Sequence, residues 1–319
     1  MKIVLAGKYP DNTYEKLQAM LPEGQFSLVA VENQADFDQL TDAEIIILRI
    51  FKAPQEVIER NKNLKMIMRW GAGFDSVDVE AAGRQGVLVT NTPGANASAV
   101  AELTIMLMLA IGRKLLCHVD SLRDGKWSKS TFLNSSFCLN SKVVGIIGAG
   151  NIGRQVATKA QAFGASTQYY DLYRLSPEME KEFKLKFVSL QELVATSDII
   201  TLHIPLTDDK YIIDTEEFAQ MKNGAIIINT SRAGLVNEAA LLQAVESGKL
   251  AGAGLDVVAN EPLAADDPLL RNPNIIVTPH IGGGTADISD AIIPILAADI
   301  RAYASGKDVL HVVNREFLK

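Results

Sequence analysis

The fold class this sequence predicts is α/β, with two doubly wound parallel-sheet domains, and three observations predict it. Short β-branched apolar runs alternate with longer amphipathic stretches along the whole chain. The runs are continuously apolar rather than alternating, the pattern of strands buried on both faces of a parallel sheet. They also form two series, set apart by the polar stretch "HVDSLRDGKWSKSTFLNSSF", which lacks strong periodicity. A length of 319 residues suits two domains.

In chain order, the first series of strands reads "KIVLAG", "FSLVAV", "EIIILR", "LKMIMRW" and "VLVTNT", with helical patterns such as "TYEKLQAM" and "PQEVIERN" between them. "NTPGANASAVAELTIMLMLAIGRK" then passes a Pro-Gly turn and enters a long buried helix, which places the crossing between units near residue 98. The second series is "VVGIIGAG", "STQYYD", "DIITLHI", "AIIINTS", "GAGLDVV" and "NIIVTPH". A last helical pattern, "TADISDAIIPILAADIRAYASGK", should be kinked by Pro294. The closing "VLHVVNREFLK" is too short for a domain and is expected to return to the first unit. The expected division is therefore 1–98 with 285–319, and 99–284.

Composition narrows the function classes. The chain is 48% hydrophobic and 22% charged, which excludes disorder and fibrous repeats. Its 38 acidic against 31 basic residues give a net charge of −7, which argues against binding nucleic acid or an acidic membrane. Cys117 and Cys138 are too few for a disulfide framework, and no spacing suggests a metal site, so a reduced, cytoplasmic protein is expected. "MKIVLAGKYP" does not read as a signal peptide. The apolar run between Glu102 and Arg113 is about half of the ~20 residues a bilayer crossing needs.

The strand "KVVGIIGAG" leads straight into the helical "NIGRQVATKAQAFG", with Gly148, Gly150 and Gly153 in G-x-G-x-x-G spacing. Gly148 permits the tight turn, Gly150 lets a pyrophosphate approach, and Gly153 packs helix on strand. The helix start at Asn151 and Ile152 offers unpaired N–H groups to the phosphate. Asp171 ends the next strand at close to the ~20-residue spacing of an acid that holds a ribose diol. Dinucleotide binding follows, with NAD favoured over NADP because Asp171 repels a 2′-phosphate. Arg174 nearby is the one residue that points the other way.

Arg232, Glu261 and His280 each stand just after a strand of the second series, where an open α/β sheet places its ligands. Oxidising an alcohol by hydride transfer needs a base for the hydroxyl proton, and histidine suits neutral pH. A neighbouring carboxylate orients the imidazole, and a guanidinium grips a substrate carboxylate with two bonds. The set reads as a 2-hydroxy acid/2-keto acid oxidoreductase.

These residues resemble those of the D-isomer-specific 2-hydroxyacid dehydrogenases. "RWGAGFDSVD", "NTPGANASAVAE", "VGIIGAGNIGR", "LHIPLT", "INTSRAGLVNEAAL", "AGAGLDVVANEP" and "TPHIGG" occur in the family's order over nearly the whole chain. The resemblance implies a Rossmann NAD-binding domain inserted into a flavodoxin-like substrate-binding domain, a cleft between them, and a homodimer built on the nucleotide domain. It also implies Arg232 as carboxylate binder, His280 as acid/base and Glu261 as its partner. Asp256 resembles the residue that holds the nicotinamide carboxamide, while Thr104, His203, Pro205, Thr230 and Gly282 match positions beside the cofactor. The backbone at Ala72 and Gly73 is similar to the loop that binds the substrate carboxylate. The phosphoglycerate enzymes of the family carry an arginine similar to Arg49, which suits an anionic substrate tail, whereas Phe51 and Trp70 would suit a bulkier apolar one. The alternatives within reach are a phosphoglycerate dehydrogenase, a glyoxylate or hydroxypyruvate reductase, and a non-catalytic NAD sensor resembling the family's corepressors.

Two departures stand out: Ala233 replaces the usual glycine after Arg232, and Asn237 replaces an aspartate, where helix capping is its expected role. His118 and His311 have no chemical company in sequence and read as surface residues, Trp127 as a packing or dimer-arm residue, and Met106 to Met108 as helix core. No appended regulatory domain is expected after "VLHVVNREFLK".

Overall fold

Runs of Ile, Val and Leu set the strands, because β-branched side chains pack well on a pleated surface covered on both faces. The computed structural model describes residues 1–127, 129–206 and 210–318. The chain divides into two units, Met1–Asn96 with Thr285–Lys319, and Ala97–Gly284.

The first unit is a parallel sheet of β1 (Lys2–Ala6), β2 (Ser27–Val31), β3 (Ile45–Leu48), β4 (Met66–Arg69) and β5 (Leu88–Thr90). Its order is β2-β1-β3-β4-β5, the flavodoxin-like winding. Central β3 is buried at every position, whereas edge strand β2 shows side chains to solvent. The tail does return to this sheet: Thr90 bridges Val312 antiparallel, and the Asn314 side chain accepts from the Val89 amide at 2.9 Å. The open edge of β5 is thereby covered.

The helix Ile288–Ala304 includes Pro294, which is exposed, as is Asp290, the residue whose carbonyl the proline leaves without its usual donor. One expectation is corrected in this unit. His311 is not a bare surface residue: its Nδ1 lies 3.0 Å from a carboxylate oxygen of the buried Asp299 on that helix.

The second unit holds β6 (Val143–Ile147), β7 (Ser166–Tyr170), β8 (Lys186–Phe187), β9 (Ile199–Leu202), β10 (Ala225–Asn229), β11 (Leu250–Leu255) and β12 (Ile275–Val277), all parallel. The order β12-β11-β10-β9-β6-β7-β8 reverses direction between β6 and β9, the Rossmann switch point where such sheets bind ligands. The helix Ala97–Gly112 packs on the helix Asn151–Ala162 and on β10 and β11. The stretch without periodicity begins inside the helix Leu115–Arg123, none of whose residues is buried, so its apolar Leu115 and Leu122 stand in solvent. No helix of the described residues is long and apolar enough to cross a membrane.

Candidate active site

The dinucleotide cradle is built by the backbone. Gly148 has φ +97°, and a Cβ there would meet the His203 carbonyl oxygen at 2.6 Å, so only glycine allows β6 and the chain leaving β9 to come this close. A Cβ on Gly153 would meet the Gly148 carbonyl at 2.0 Å, which explains the third glycine. At Gly150 a Cβ would meet nothing within 4 Å; the loop faces open space there. The helix Asn151–Ala162 starts directly after Gly150 without a side-chain cap, leaving its first N–H groups for an anion. Asp171 follows β7, and its carboxylate accepts from the Ala149 amide at 2.9 Å and the Tyr173 amide at 3.2 Å. The predicted ribose acid is thus docked against the glycine loop.

His203 follows β9. One of its ring nitrogens, Nε2, pairs with the Thr201 hydroxyl at 2.9 Å, while Nδ1 is closed off from solvent without a partner. Burial pushes its pKa down to about 3, so the ring is neutral. Thr104 is fully buried, and its hydroxyl is engaged by the Val100 carbonyl at 2.8 Å and by Thr230 at 3.0 Å. Pro205 is exposed beside this edge.

The His280 and Glu261 side chains meet. His280 Nδ1 lies 3.0 Å from Glu261 Oε2, with the two side chains 54% and 43% exposed, which leaves Nε2 for a substrate proton. His280 adopts φ +52°, a left-handed conformation held by its amide bonding to the Thr278 carbonyl at 2.9 Å. Beneath it, buried Asp256 collects three donors: the Thr278 hydroxyl at 2.6 Å and the amides of Ile281 and Gly282 at 2.8 and 2.7 Å. Asp256 thereby fixes the loop that carries His280, a task its motif did not reveal.

Arg232 is half-buried after β10. Its guanidinium donates to the Ser231 carbonyl at 2.7 Å, and fully buried Asn229 donates to the Arg232 carbonyl at 2.8 Å while accepting from the Ser231 amide at 3.1 Å. Asn229, Thr278 and Glu238, which accepts from the Ala259 amide at 2.6 Å, are supports that sequence reasoning missed. Asn237 does cap its helix, accepting from the amides of Ala239 and Ala240.

In the first unit the loop after β4 is pinned through its carbonyls. Gly71 O accepts from the Thr92 amide at 3.0 Å, Ala72 O from Asn91 at 2.7 Å, and Gly73 O from Arg69 at 2.9 Å. Arg49 donates to the Lys8 carbonyl, a backbone contact rather than a salt bridge. Phe51 is buried against Phe37 in the core, which corrects its assignment to a substrate pocket. Trp70 is buried with its ring edge-to-face on Tyr9 at 4.9 Å. Among the described residues no three His, Cys, Asp or Glu side chains gather as a metal site.

The chain is similar to known proteins. Residues 105–282 match the family described as D-isomer specific 2-hydroxyacid dehydrogenase, NAD binding domain. The chain is 42% identical over 252 residues to the hydroxypyruvate reductase of Thermotoga maritima, covering 78% of this chain and 80% of that protein. It is 39% identical over 271 residues to the D-3-phosphoglycerate dehydrogenase of Archaeoglobus fulgidus, covering 85% of this chain but 51% of that one. The chain therefore spans about half the length of the phosphoglycerate dehydrogenases it matches. The crystal structure of a glyoxylate reductase from Paecilomyes thermophila superposes with a TM-score of 0.85 at 32% identity over 99% of both chains.

Proposed function

The chain belongs to the D-isomer-specific 2-hydroxyacid dehydrogenases, and from that membership we propose that it interconverts a D-2-hydroxy acid and its 2-keto acid with NAD. One observation carries the reading: the 3.0 Å pairing of Glu261 with His280 Nδ1, which turns a single ring nitrogen outward as a proton carrier. The cradle fits the cofactor, since the loop is open at Gly150, the helix start is uncapped and Asp171 is docked beside it. Gly148, Gly150 and Gly153 with the amides of Asn151 and Ile152 hold the pyrophosphate, and Asp171 holds the ribose. Thr104, His203, Pro205, Thr230, Asp256 and Gly282 shape the remainder of the cofactor's surroundings. Bound there, NAD supplies the hydride acceptor, or NADH the donor.

The chain's own residues do the rest. Arg232 grips the substrate carboxylate with two charge-assisted bonds. His280 takes the hydroxyl proton at Nε2 during oxidation and returns it during reduction, while Glu261 keeps the ring in place and faces the charge it gains. Ala72 and Gly73 bind the carboxylate through backbone amides, a role supported by the pinned carbonyls of their loop. Arg49 is kept as a candidate for an anionic substrate tail, since its bond to the Lys8 carbonyl uses one of the guanidinium's several N–H donors. We place short keto acids, glyoxylate and hydroxypyruvate, ahead of phosphorylated ones because the chain covers 80% of the hydroxypyruvate reductase it matches but 51% of the phosphoglycerate dehydrogenase.

The test is NADH oxidation against glyoxylate, hydroxypyruvate, pyruvate, phenylpyruvate and 3-phosphohydroxypyruvate. Turnover led by the two short acids is expected; silence across the panel would make the chain a sensor rather than an enzyme.

We further propose a cytoplasmic homodimer joined through the second unit. Support comes from apolar side chains left in solvent on and beside its helices: Met106, Leu115, Leu122, Leu133 and Trp127 are 51%, 52%, 51%, 71% and 79% exposed. Met106, Leu115 and Leu133 help line a cavity of about 730 Å³ with His118 and Phe132. A monomer mass in sedimentation equilibrium would overturn this assignment.

A further inference from the structure

Arg174 is the one cation in the turn that follows the ribose acid, residues 172–176. A guanidinium in such a place is the usual counterion for the 2′-phosphate of NADP. Here it is already occupied. Its Nε donates to Glu180 Oε1 at 2.8 Å and its Nη2 to Glu180 Oε2 at 3.0 Å, a bidentate pair, while its plane lies over the Phe187 ring at 5.1 Å. Glu180 sits on the helix Pro177–Glu182 and is anchored from beneath, accepting from the Tyr169 hydroxyl at 2.7 Å. Tyr169 is fully buried in β7, the strand just before Asp171, and its oxygen accepts in turn from the Leu175 amide at 2.9 Å. The guanidinium and the Tyr169 hydroxyl hold the Glu180 carboxyl down to about 2, so it remains ionised across the working range.

We propose that Glu180 is a positioning residue for cofactor choice, latching Arg174 away from the adenosine ribose so that no free cation meets a 2′-phosphate. Asp171 repels the phosphate, and Glu180 withholds the group that could compensate. The inference rests on the NAD reading above. Physically, a 2′-phosphate and the Glu180 carboxylate compete for the same fork of N–H donors. The carboxylate is already held by the hydroxyl of buried Tyr169, whereas the phosphate must bring Arg174 out of its seat on Phe187.

The test uses the full chain in an Asp171→Ser background. Glu180→Gln removes the charge but leaves an amide oxygen for Tyr169, so the turn keeps its anchor. Two quantities are read: the NADPH/NADH ratio of kcat/KM with hydroxypyruvate, and calorimetric binding of 2′-phospho-AMP against AMP, which needs no turnover. Adding Glu180→Gln should raise the ratio about tenfold and tighten 2′-phospho-AMP by a similar factor, one charge-assisted bond's worth. Adding Arg174→Ala as well should erase both gains. An Asp171→Ser/Glu180→Gln variant that is folded by circular dichroism yet gains nothing would overturn the latch, as would a gain that survives Arg174→Ala. A chain silent with every keto acid but showing the nucleotide shifts would sink the catalytic reading and keep the latch.

Discussion

His280→Ala is expected to lower kcat by about 10³-fold while NADH binds within a few-fold of wild type. The reason is geometric. Nδ1 is tied to Glu261 at 3.0 Å, so Nε2 alone is free to exchange a proton with a substrate, and alanine leaves nothing in its place. The dinucleotide cradle lies at β6, β7 and β9 and owes none of its bonds to the imidazole, so cofactor affinity should survive. NADH fluorescence titration beside steady-state turnover separates the two. Full activity in His280→Ala would remove the mechanism; lost NADH binding would mean that the loop, held by Asp256, had collapsed instead.

Arg232→Ala should lower kcat/KM for a keto acid by about 10³-fold, because two charge-assisted bonds at about 2 kcal/mol each are lost from the carboxylate. The loss should appear largely in KM. Arg232→Lys should recover little of it, since an ammonium cannot reproduce the planar fork. The backbone that aims Arg232 is fixed by buried Asn229, so the substitution removes a ligand without loosening the loop. An unchanged KM in Arg232→Ala would move carboxylate recognition elsewhere.

The strands were legible because continuous Ile and Val runs have few other uses in a soluble chain, and β6 with its glycines announced the cradle by spacing alone. Two-residue β8 was not legible, being too short to carry a period. What stayed hidden were partnerships that no motif names. His311 looked solitary because Asp299 meets it only once the tail folds back onto β5. Arg174 was ambiguous for another reason: its partner Glu180 is only six residues on, but which cofactor or carboxylate claims the charge depends on how the short helix carrying Glu180 turns back. Asp256 was read through its motif as a cofactor contact alone, and the role of its buried carboxylate in organising the loop of His280 stayed unseen.

The central claim is that one imidazole passes a proton to and from the substrate oxygen. A crystal structure with NADH and oxamate, an unreactive mimic of a short keto acid, tests it most directly. The account predicts His280 Nε2 at about 2.6–3.2 Å from the oxamate keto-position oxygen, with Glu261 still on Nδ1 and the Arg232 guanidinium on the carboxylate. Oxamate bound with that oxygen on some other donor, and His280 turned from it, would contradict it.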